Sequence, residues 1–245
     1  MMKKNRLLLR TLLTVGTASF ISVNLVYASP LLAKAVAFLG ISVSPGQLKG
    51  LEGFSGSGEI WVANLETGKG KKISLTSGYR SPLFLVGDED LLALKGCQVV
   101  RIQGRDGKEM PLFAVEGLEK LVGFNGQDPD KILVLYQGDH RTQVPGVFSL
   151  ASGRIKPLPF DRNSEADRLL LAHLSGWERS YGPKKVFVRR QSKEDLSGTI
   201  EWTDVFFKQE AQDPINVSQG DGVNCGQPSL SHNGALVTYV RDGIQ

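Results

Sequence analysis

The two ends of this 245-residue chain carry complementary halves of one repeat. The last strand-like run is "PSLSHNGALVTYVRDGIQ" (228–245), and the first is "GEIWVANLETGKGKKISL" (58–75). Each run holds two short apolar segments. An Asn-Gly turn joins them in 228–245, and a Thr-Gly turn joins them in 58–75. Joined end to start, they predict one four-stranded blade of a β-propeller. Closing the ring with strands from both termini would remove exposed sheet edges, which otherwise favour aggregation.

The same hairpin turn recurs along the chain. Turn glycines stand at Gly68, Gly107 and Gly153, at spacings of 39 and 46 residues. Each is preceded by an apolar run and followed by a short basic-then-apolar run, and propeller blades recur at roughly 40–50 residues. The runs are short, rich in Val, Ile, Leu and Phe, and bounded by Gly, Pro, Asp and Asn, as strands are.

A fourth unit is longer and less regular. Its expected strands are "LLLAHL", "KKVFVRR", "IEWTDVFF" and "PINVS", with insertions at 177–185 and 192–198. Nothing from Gly58 onward shows a sustained helical period. We therefore predict one all-β domain over residues 58–245, a small propeller of four blades.

The composite repeat also matches a known pattern. Its residues are Pro228, Ser229, Ser231, Asn233, Gly234, Leu236, Val237, Tyr239, Asp242 and Gly243, followed by Ile60, Trp61, Leu65, Thr67, Gly68 and Ile73. This resembles the repeat of the TolB-like, or PD40, branch of the WD40-like propellers, although the family's turn proline is missing. The resemblance implies the fold and, by analogy, an envelope protein that binds a partner. Propellers host binders and enzymes alike, so the resemblance fixes no activity.

The N-terminus has the features of an export signal. Lys3, Lys4, Arg6 and Arg10 precede an apolar run that ends in Val-Tyr-Ala, a small-residue cleavage pattern. We predict a signal peptide at 1–28, a Gly/Ser-rich linker at 29–57, and a periplasmic or secreted location. The alternative is an uncleaved membrane anchor, which would make this segment the chain's only membrane contact.

Charge argues against a nucleic-acid partner. The formal net charge of the chain is +4. The segment before Ser29 contributes all of it, because that segment holds four cations and no acidic residue. The chain from Ser29 is therefore formally neutral, whereas a nucleic-acid-binding protein needs a surviving basic face.

Catalytic and metal-binding patterns are not found. His140, His173 and His232 lie in separate repeats without metal-ligand spacing, and we interpret them as turn or core-edge residues. The acidic groups at 88–90 and 128–130 are expected in turns, where Asp binds nearby backbone groups. The sequence predicts no metal, no cofactor and no catalytic residues.

Two cysteines leave a disulfide open. Cys97 is expected in a turn and Cys225 at the entry to the neighbouring composite blade. An exported chain with two cysteines permits one bridge. Two unpaired thiols are the equal alternative, because neighbouring blades need not bring the Cα atoms within about 7 Å.

One insertion is a candidate partner-binding loop. It holds Trp177, Arg179 and Tyr181, residue types enriched at interface hot spots. The alternative is that Trp177 folds back and covers the end of the irregular blade.

Three hypotheses for function remain. The favoured one is an exported, non-enzymatic propeller that acts as a protein- or polymer-binding scaffold in the cell envelope. The alternatives are a hydrolase or lyase with polar residues at the central channel, and a remnant of a longer propeller. Convergent His, Asp, Glu or Arg side chains at the channel would favour the enzyme.

Overall fold

The computed structural model describes residues 56–87, 89–124, 128–139, 142–176 and 178–242. The predicted signal peptide (1–28) and all but the last two residues of the predicted linker (29–57) lie outside this part of the chain. Within it, no helix is both long enough and apolar enough to cross a membrane.

Sixteen strands form four antiparallel sheets of four strands, and each sheet is a blade. Blade I contains β3 (Tyr79–Phe84), β4 (Asp90–Lys95), β5 (Gln98–Gln103) and β6 (Glu109–Ala114). Blade II contains β7 (Leu118–Phe124), β8 (Lys131–Gln137), β9 (Gln143–Ser149) and β10 (Ile155–Pro157). Blade III contains β11 (Arg179–Tyr181), β12 (Lys184–Asp195), β13 (Gly198–Gln209) and β14 (Ile215–Asn216). The composite blade contains β15 (Cys225–Leu230), β16 (Leu236–Arg241), β1 (Glu59–Asn64) and β2 (Gly70–Lys72), in that spatial order.

The composite blade confirms the predicted closure. Strands β1 and β16 pair antiparallel without interruption, from Glu59 opposite Arg241 to Asn64 opposite Leu236. The two chain ends therefore share one hydrogen-bonded ladder. The molecule is the predicted all-β propeller of four blades.

The repeated turn glycines have the backbone that the hairpins require. Gly68, Gly107 and Gly153 have φ between +66° and +72°, and Gly234 of the Asn-Gly turn has φ +65°. Residues with a side chain rarely adopt such backbone angles, whereas glycine adopts them freely. The three turns identified from spacing thus join the two outer strands of their blades, and the Asn-Gly turn joins the two inner strands of the composite blade.

Among the described residues the core consists of four apolar clusters, and three of them lie between blades. One joins the composite blade to blade I through Ile60 and Leu91, and another joins blades I and II through Leu92 and Phe148. The third joins the composite blade to blade III and includes Val237, Tyr239, Val186, Val205 and Phe207. Each blade is too thin to bury its faces alone, so the neighbouring blades stabilise one another.

The prediction of a first strand at "LLLAHL" is wrong, because this segment belongs to a helix, α1 (Glu165–Ser175). Ser164 caps its N-terminus by accepting a hydrogen bond from Asp167 N, and Glu165 lies in the first turn, where an acidic group is favourable. Leu170 and Leu174, one turn apart, pack on blade II. The innermost strand of blade III is instead β11, within the stretch expected to be an insertion.

The second predicted insertion, 192–198, is not a separate loop. Strands β12 and β13 run on for twelve residues each and stay paired as far as Asp195 opposite Gly198. Their outer part extends past β11 and β14, which pair only with the first residues of β12 and the last of β13. We call residues 189–204 the ribbon.

Candidate functional site

The innermost strands β3, β7, β11 and β15 carry polar side chains that form hydrogen bonds to neighbouring elements. Gln227 on β15 accepts a hydrogen bond at Oε1 from Ser81 N of blade I, at 2.5 Å. Arg80 on β3 donates from Nη2 to Leu118 O of blade II, at 3.0 Å. In both cases a side chain of one blade satisfies a backbone group of the next.

Lys120 on β7 makes the corresponding link toward blade III. Its side chain is buried, with 4% of the residue exposed, and its Nζ donates to Ser175 O and Gly176 O, each at 2.6 Å. These carbonyls end helix α1, where a cation is favourable because the helix dipole is negative there. Burial, and then the nearby charge of Arg179, hold the pKa of Lys120 well below its usual range.

Arg179 is part of the same junction. Its Nη1 donates to Gly176 O at 3.1 Å and to Glu178 O at 2.7 Å. Burial lowers the pKa of Arg179 to about 10, partly offset by the charge of Glu178. Both cations thus bind backbone carbonyls where the chain passes from helix α1 to blade III.

The last seam, between blade III and the composite blade, has the same kind of link. Lys184 donates from Nζ to Gly234 O at 2.7 Å. Among the described residues, no three His, Cys, Asp or Glu side chains lie close enough together to hold a metal ion. Each cation at these seams thus binds a backbone carbonyl: Arg80 on β3, Lys120 on β7, Arg179 on β11 and Lys184 on β12.

The predicted partner-binding residues are only partly described. Trp177 and the side chain of Tyr181 lie outside the described part, whereas Tyr181 as a backbone position pairs with Lys184. Arg179 belongs to the junction above. That this loop binds a partner remains a prediction.

The histidines and acidic groups occupy separate places. His140 and Asp88 lie outside the described residues, His173 is on helix α1 rather than in a strand, and His232 is in the β15–β16 turn. Asp90 forms an ion pair with Arg101, and Asp130 with Lys131 at 2.7 Å. Hydrogen bonds from Lys131 and Ser149 lower the pKa of Asp130.

The structure has both cysteines as free thiols. Cys97 is exposed in the β4–β5 turn, and Cys225 is buried in the composite blade. The bridge left open by the sequence stays a prediction. Burial raises the pKa of the Cys225 thiol to about 11, and its Sγ lies 3.6 Å from Val223 O.

The surface that sequence analysis missed is on one face of β12 and β13. Phe187 and Phe206 lie opposite each other and stack, with ring centroids 6.0 Å apart and planes 22° apart. The guanidinium carbon of Arg189 is 5.6 Å from the centroid of Phe187 and 4.8 Å from that of Phe206. The signal that could have revealed it is the placing of cations on both sides of Phe187 in "KKVFVRRQSK" (184–193).

Cross-strand pairing extends this face along the ribbon and back into the blade. Lys193 lies opposite Ile200, Gln191 opposite Trp202, and Lys208 opposite Lys185. We define the basic–aromatic strip as Phe187, Arg189, Lys193, Trp202, Phe206 and Lys208. Arg190, the next residue after Arg189, is on the opposite face, and its Nη1 lies 3.8 Å from Glu201 Oε2.

No protein-family model and no curated protein matches the chain. Among solved structures it is similar to a putative TolB from Agrobacterium tumefaciens, with 12% identity and a TM-score of 0.35, over 73% of this chain and 59% of that one. TolB from Acinetobacter baumannii gives 12% identity and a TM-score of 0.35, over 75% and 48% of the two chains. An acylaminoacyl peptidase from Pyrococcus horikoshii gives 10% and 0.30, over 64% and 30%. The chain thus spans about half the length of the TolB structures, and similarities of this size do not assign it to a family.

Proposed function

We propose that this chain is an exported, non-enzymatic β-propeller that binds a protein or polymer partner in the cell envelope. The observation that carries the proposal is the ribbon. It extends past the short strands β11 and β14 and displays Leu196, which is fully exposed, and Ile200, which is 43% exposed. Neither side chain contributes to a described core cluster.

The energetics of the ribbon favour a binding role. Leaving a Leu or Ile in water forgoes about 1.5–3 kcal/mol that burial would contribute. Apolar side chains grouped with a half-buried Trp202 on one projecting element are typical of interaction sites. The rigid propeller below would hold such an element in one orientation, which lowers the entropic cost of binding.

The central channel supports binding over catalysis. An enzyme would need side chains free to act on a substrate, with nucleophile, base and oxyanion donors in reach of one another. The described inner-strand residues Arg80, Lys120 and Gln227 are hydrogen-bonded across the seams between blades. These side chains therefore have a structural task.

A shortened ribbon tests the binding role. Replacing residues 192–201 by Asn-Gly joins Gln191 to Trp202, which are paired, through a turn suited to a two-residue hairpin. We expect a partner cross-linked to the wild-type chain in its own cells to be lost from the shortened chain, and to rebind only the wild-type chain when both are purified.

Leu75→Ser is the matched control, because Leu75 is 70% exposed and lies outside the ribbon. This variant should retain the partner, and all three chains should have the same thermal midpoint. Equal recovery of the partner by the shortened chain would contradict the proposal. Export is tested separately by cell fractionation and N-terminal sequencing, and a chain found in the cytoplasm would refute an envelope role.

A further inference from the structure

We infer that the basic–aromatic strip binds an acidic segment of a protein partner, one that carries several carboxylates and an apolar side chain. The inference rests on the proposed binding function and names the class of partner. It is carried by the placement of Arg189 above two aromatic rings and by the charges along the same face.

Arg189 is held in place by ring contacts, and its guanidinium forms no hydrogen bond to the residues that the structure describes. Its guanidinium covers the stacked rings of Phe187 and Phe206, yet the residue is exposed at the surface. Among the described residues it forms no ion pair. Stacking orients a planar guanidinium without using its N–H groups, which leaves them arranged to donate two parallel hydrogen bonds to a carboxylate.

Further cations flank Arg189 on the same face. Lys193 is four residues along β12, about 13 Å away in an extended strand, and Lys208 lies back toward the blade. Neither forms an ion pair with a described residue. A partner with carboxylates at several successive positions would therefore meet more than one cation.

The acidic group on this face is already occupied. Asp204, opposite Arg189, is buried and accepts hydrogen bonds from Trp202 Nε1 at 3.0 Å, Asn216 Nδ2 at 2.9 Å, and Ser218 Oγ and Gly220 N at 2.7 Å each. These four hydrogen bonds hold the carboxylate of Asp204 toward the interior of the protein. The solvent side of the strip is consequently cationic over Arg189 and Lys193, with Asp195 at the far tip.

The apolar part of the strip favours a protein over a nucleic acid or another polyanion. Single-stranded nucleic acids bind by stacking bases on open aromatic faces, but Arg189 covers Phe187 and Phe206. The open apolar groups are Ile200 and the half-buried Trp202, which suit an aliphatic or aromatic side chain. Three cations are also few for a polyanion, whose affinity grows with each phosphate neutralised.

Fluorescence anisotropy of labelled peptides, measured as they bind the full chain, tests the inference. The probe is an end-capped, fluorescein-labelled ten-residue peptide of glutamates with one central phenylalanine. Its comparators replace every glutamate by glutamine or the phenylalanine by glycine. We expect saturable binding of the acidic probe, at least tenfold weaker binding when glutamine replaces glutamate, and a severalfold loss without the phenylalanine.

Two adjacent arginines provide the control. Arg189→Gln should weaken binding of the acidic probe about tenfold, and Arg190→Gln, on the opposite face, should leave it within twofold. Arg189→Lys keeps the charge but loses the fork of donors, so it should also weaken binding severalfold. Lys193→Glu, which removes no aromatic contact, should weaken binding at least tenfold even if the Arg189 variants are unstable.

Several results would overturn the inference. One is no binding of the acidic probe at millimolar concentration, and another is an equal loss for the Arg189 and Arg190 variants, which would indicate general attraction. Heparin or a single-stranded oligonucleotide binding more tightly than the peptide, with the same dependence on Arg189, would make the strip a polyanion site. If the shortened ribbon loses its cellular partner while no acidic probe binds, this inference fails and the proposed function stands. If the shortened ribbon retains its partner and no acidic probe binds, both fail.

Discussion

The composite blade and blade III are built from the same four-strand plan but use their strands in opposite ways. In the composite blade, β1 and β16 are six residues each and pair along their whole length, and Ile60, Val237 and Tyr239 are almost fully buried. In blade III, β12 and β13 have twelve residues each, and their outer halves lie beyond both neighbouring strands. One blade holds the ring together, and the other displays part of itself to solvent.

This difference separates stability from binding within one architecture. Apolar residues between blades stabilise the ring because they leave water on folding. Residues at the end of a two-stranded ribbon have few neighbours, so their removal should cost the fold little. Mutations in the two blades should therefore have opposite profiles, with loss of folding in the first and loss of partner in the second.

The largest effect is expected from deleting residues 228–245. The deletion removes β16 and the second half of β15, and with them the burial of Val237, Tyr239 and Val240, at about 1.5–3 kcal/mol for each side chain. It also exposes an edge of β1 and the apolar face of blade III that packs on Val237 and Tyr239. We expect no soluble, cooperatively folded product, judged by expression and by circular dichroism during heating.

The shortened ribbon is the counterpart of that deletion. Removing ten residues from blade III and inserting Asn-Gly should leave a soluble chain with a cooperative transition near that of the wild type. A soluble, cooperative product from the 228–245 deletion would contradict closure. An unfolded shortened chain would contradict the division of roles between the two blades.

An intermediate effect is expected at the junction of blades II and III. Lys120→Met removes a donor from Ser175 O and from Gly176 O, the second of which keeps its hydrogen bond from Arg179, and this loss should cost about 1–3 kcal/mol in the free energy of unfolding by urea. Lys131→Met on the same blade is the control. Its ion pair with Asp130 lies at the surface and is screened by solvent, so its loss should leave the free energy of unfolding nearly unchanged. Equal stability of the two variants would show that Lys120 does not hold this seam.

The effect that is absent at neutral pH, and therefore the smallest under ordinary conditions, is a pH dependence from Cys225. Its pKa is raised from 9.0 to about 11 by burial, so its contribution to stability is complete below pH 9. Between pH 9 and 11 the unfolded chain loses a proton that the folded chain retains. Stability should therefore fall as pH rises, by up to about 1.4 kcal/mol per pH unit.

Urea unfolding of reduced protein across pH 8–11 measures this slope. Cys225→Ala should lower stability at pH 8 but remove the slope attributable to the thiol. Cys97→Ala, which removes the exposed thiol in a turn, should retain the slope of the wild type. Parallel curves for the wild type and Cys225→Ala would mean that the thiol is not buried as the structure has it.

The sequence alone predicted the fold wherever short-range rules decide it. Turn glycines at regular spacing, the Asn-Gly turn and the complementary chain ends predicted four blades and the pairing of β1 with β16. These signals are local, because a hairpin turn demands a positive φ and a strand demands alternating or β-branched apolar residues. Helix α1 was missed for the converse reason: a short run of leucines suits a buried strand or a helix, and contact with blade II favours the helix.

The candidate site depended on tertiary structure. Arg189 and Arg190 are indistinguishable in the sequence, and only the register of β12 against β13 places one over Phe206 and the other beside Glu201. Lys120 resembles any surface lysine until helix α1 brings two carbonyls to its Nζ. The sequence by itself determined how the ring of blades closes, because turn and strand preferences are properties of neighbouring residues. Tertiary structure alone decided which charges are buried in the seams and which face a partner, because that depends on groups far apart in the chain.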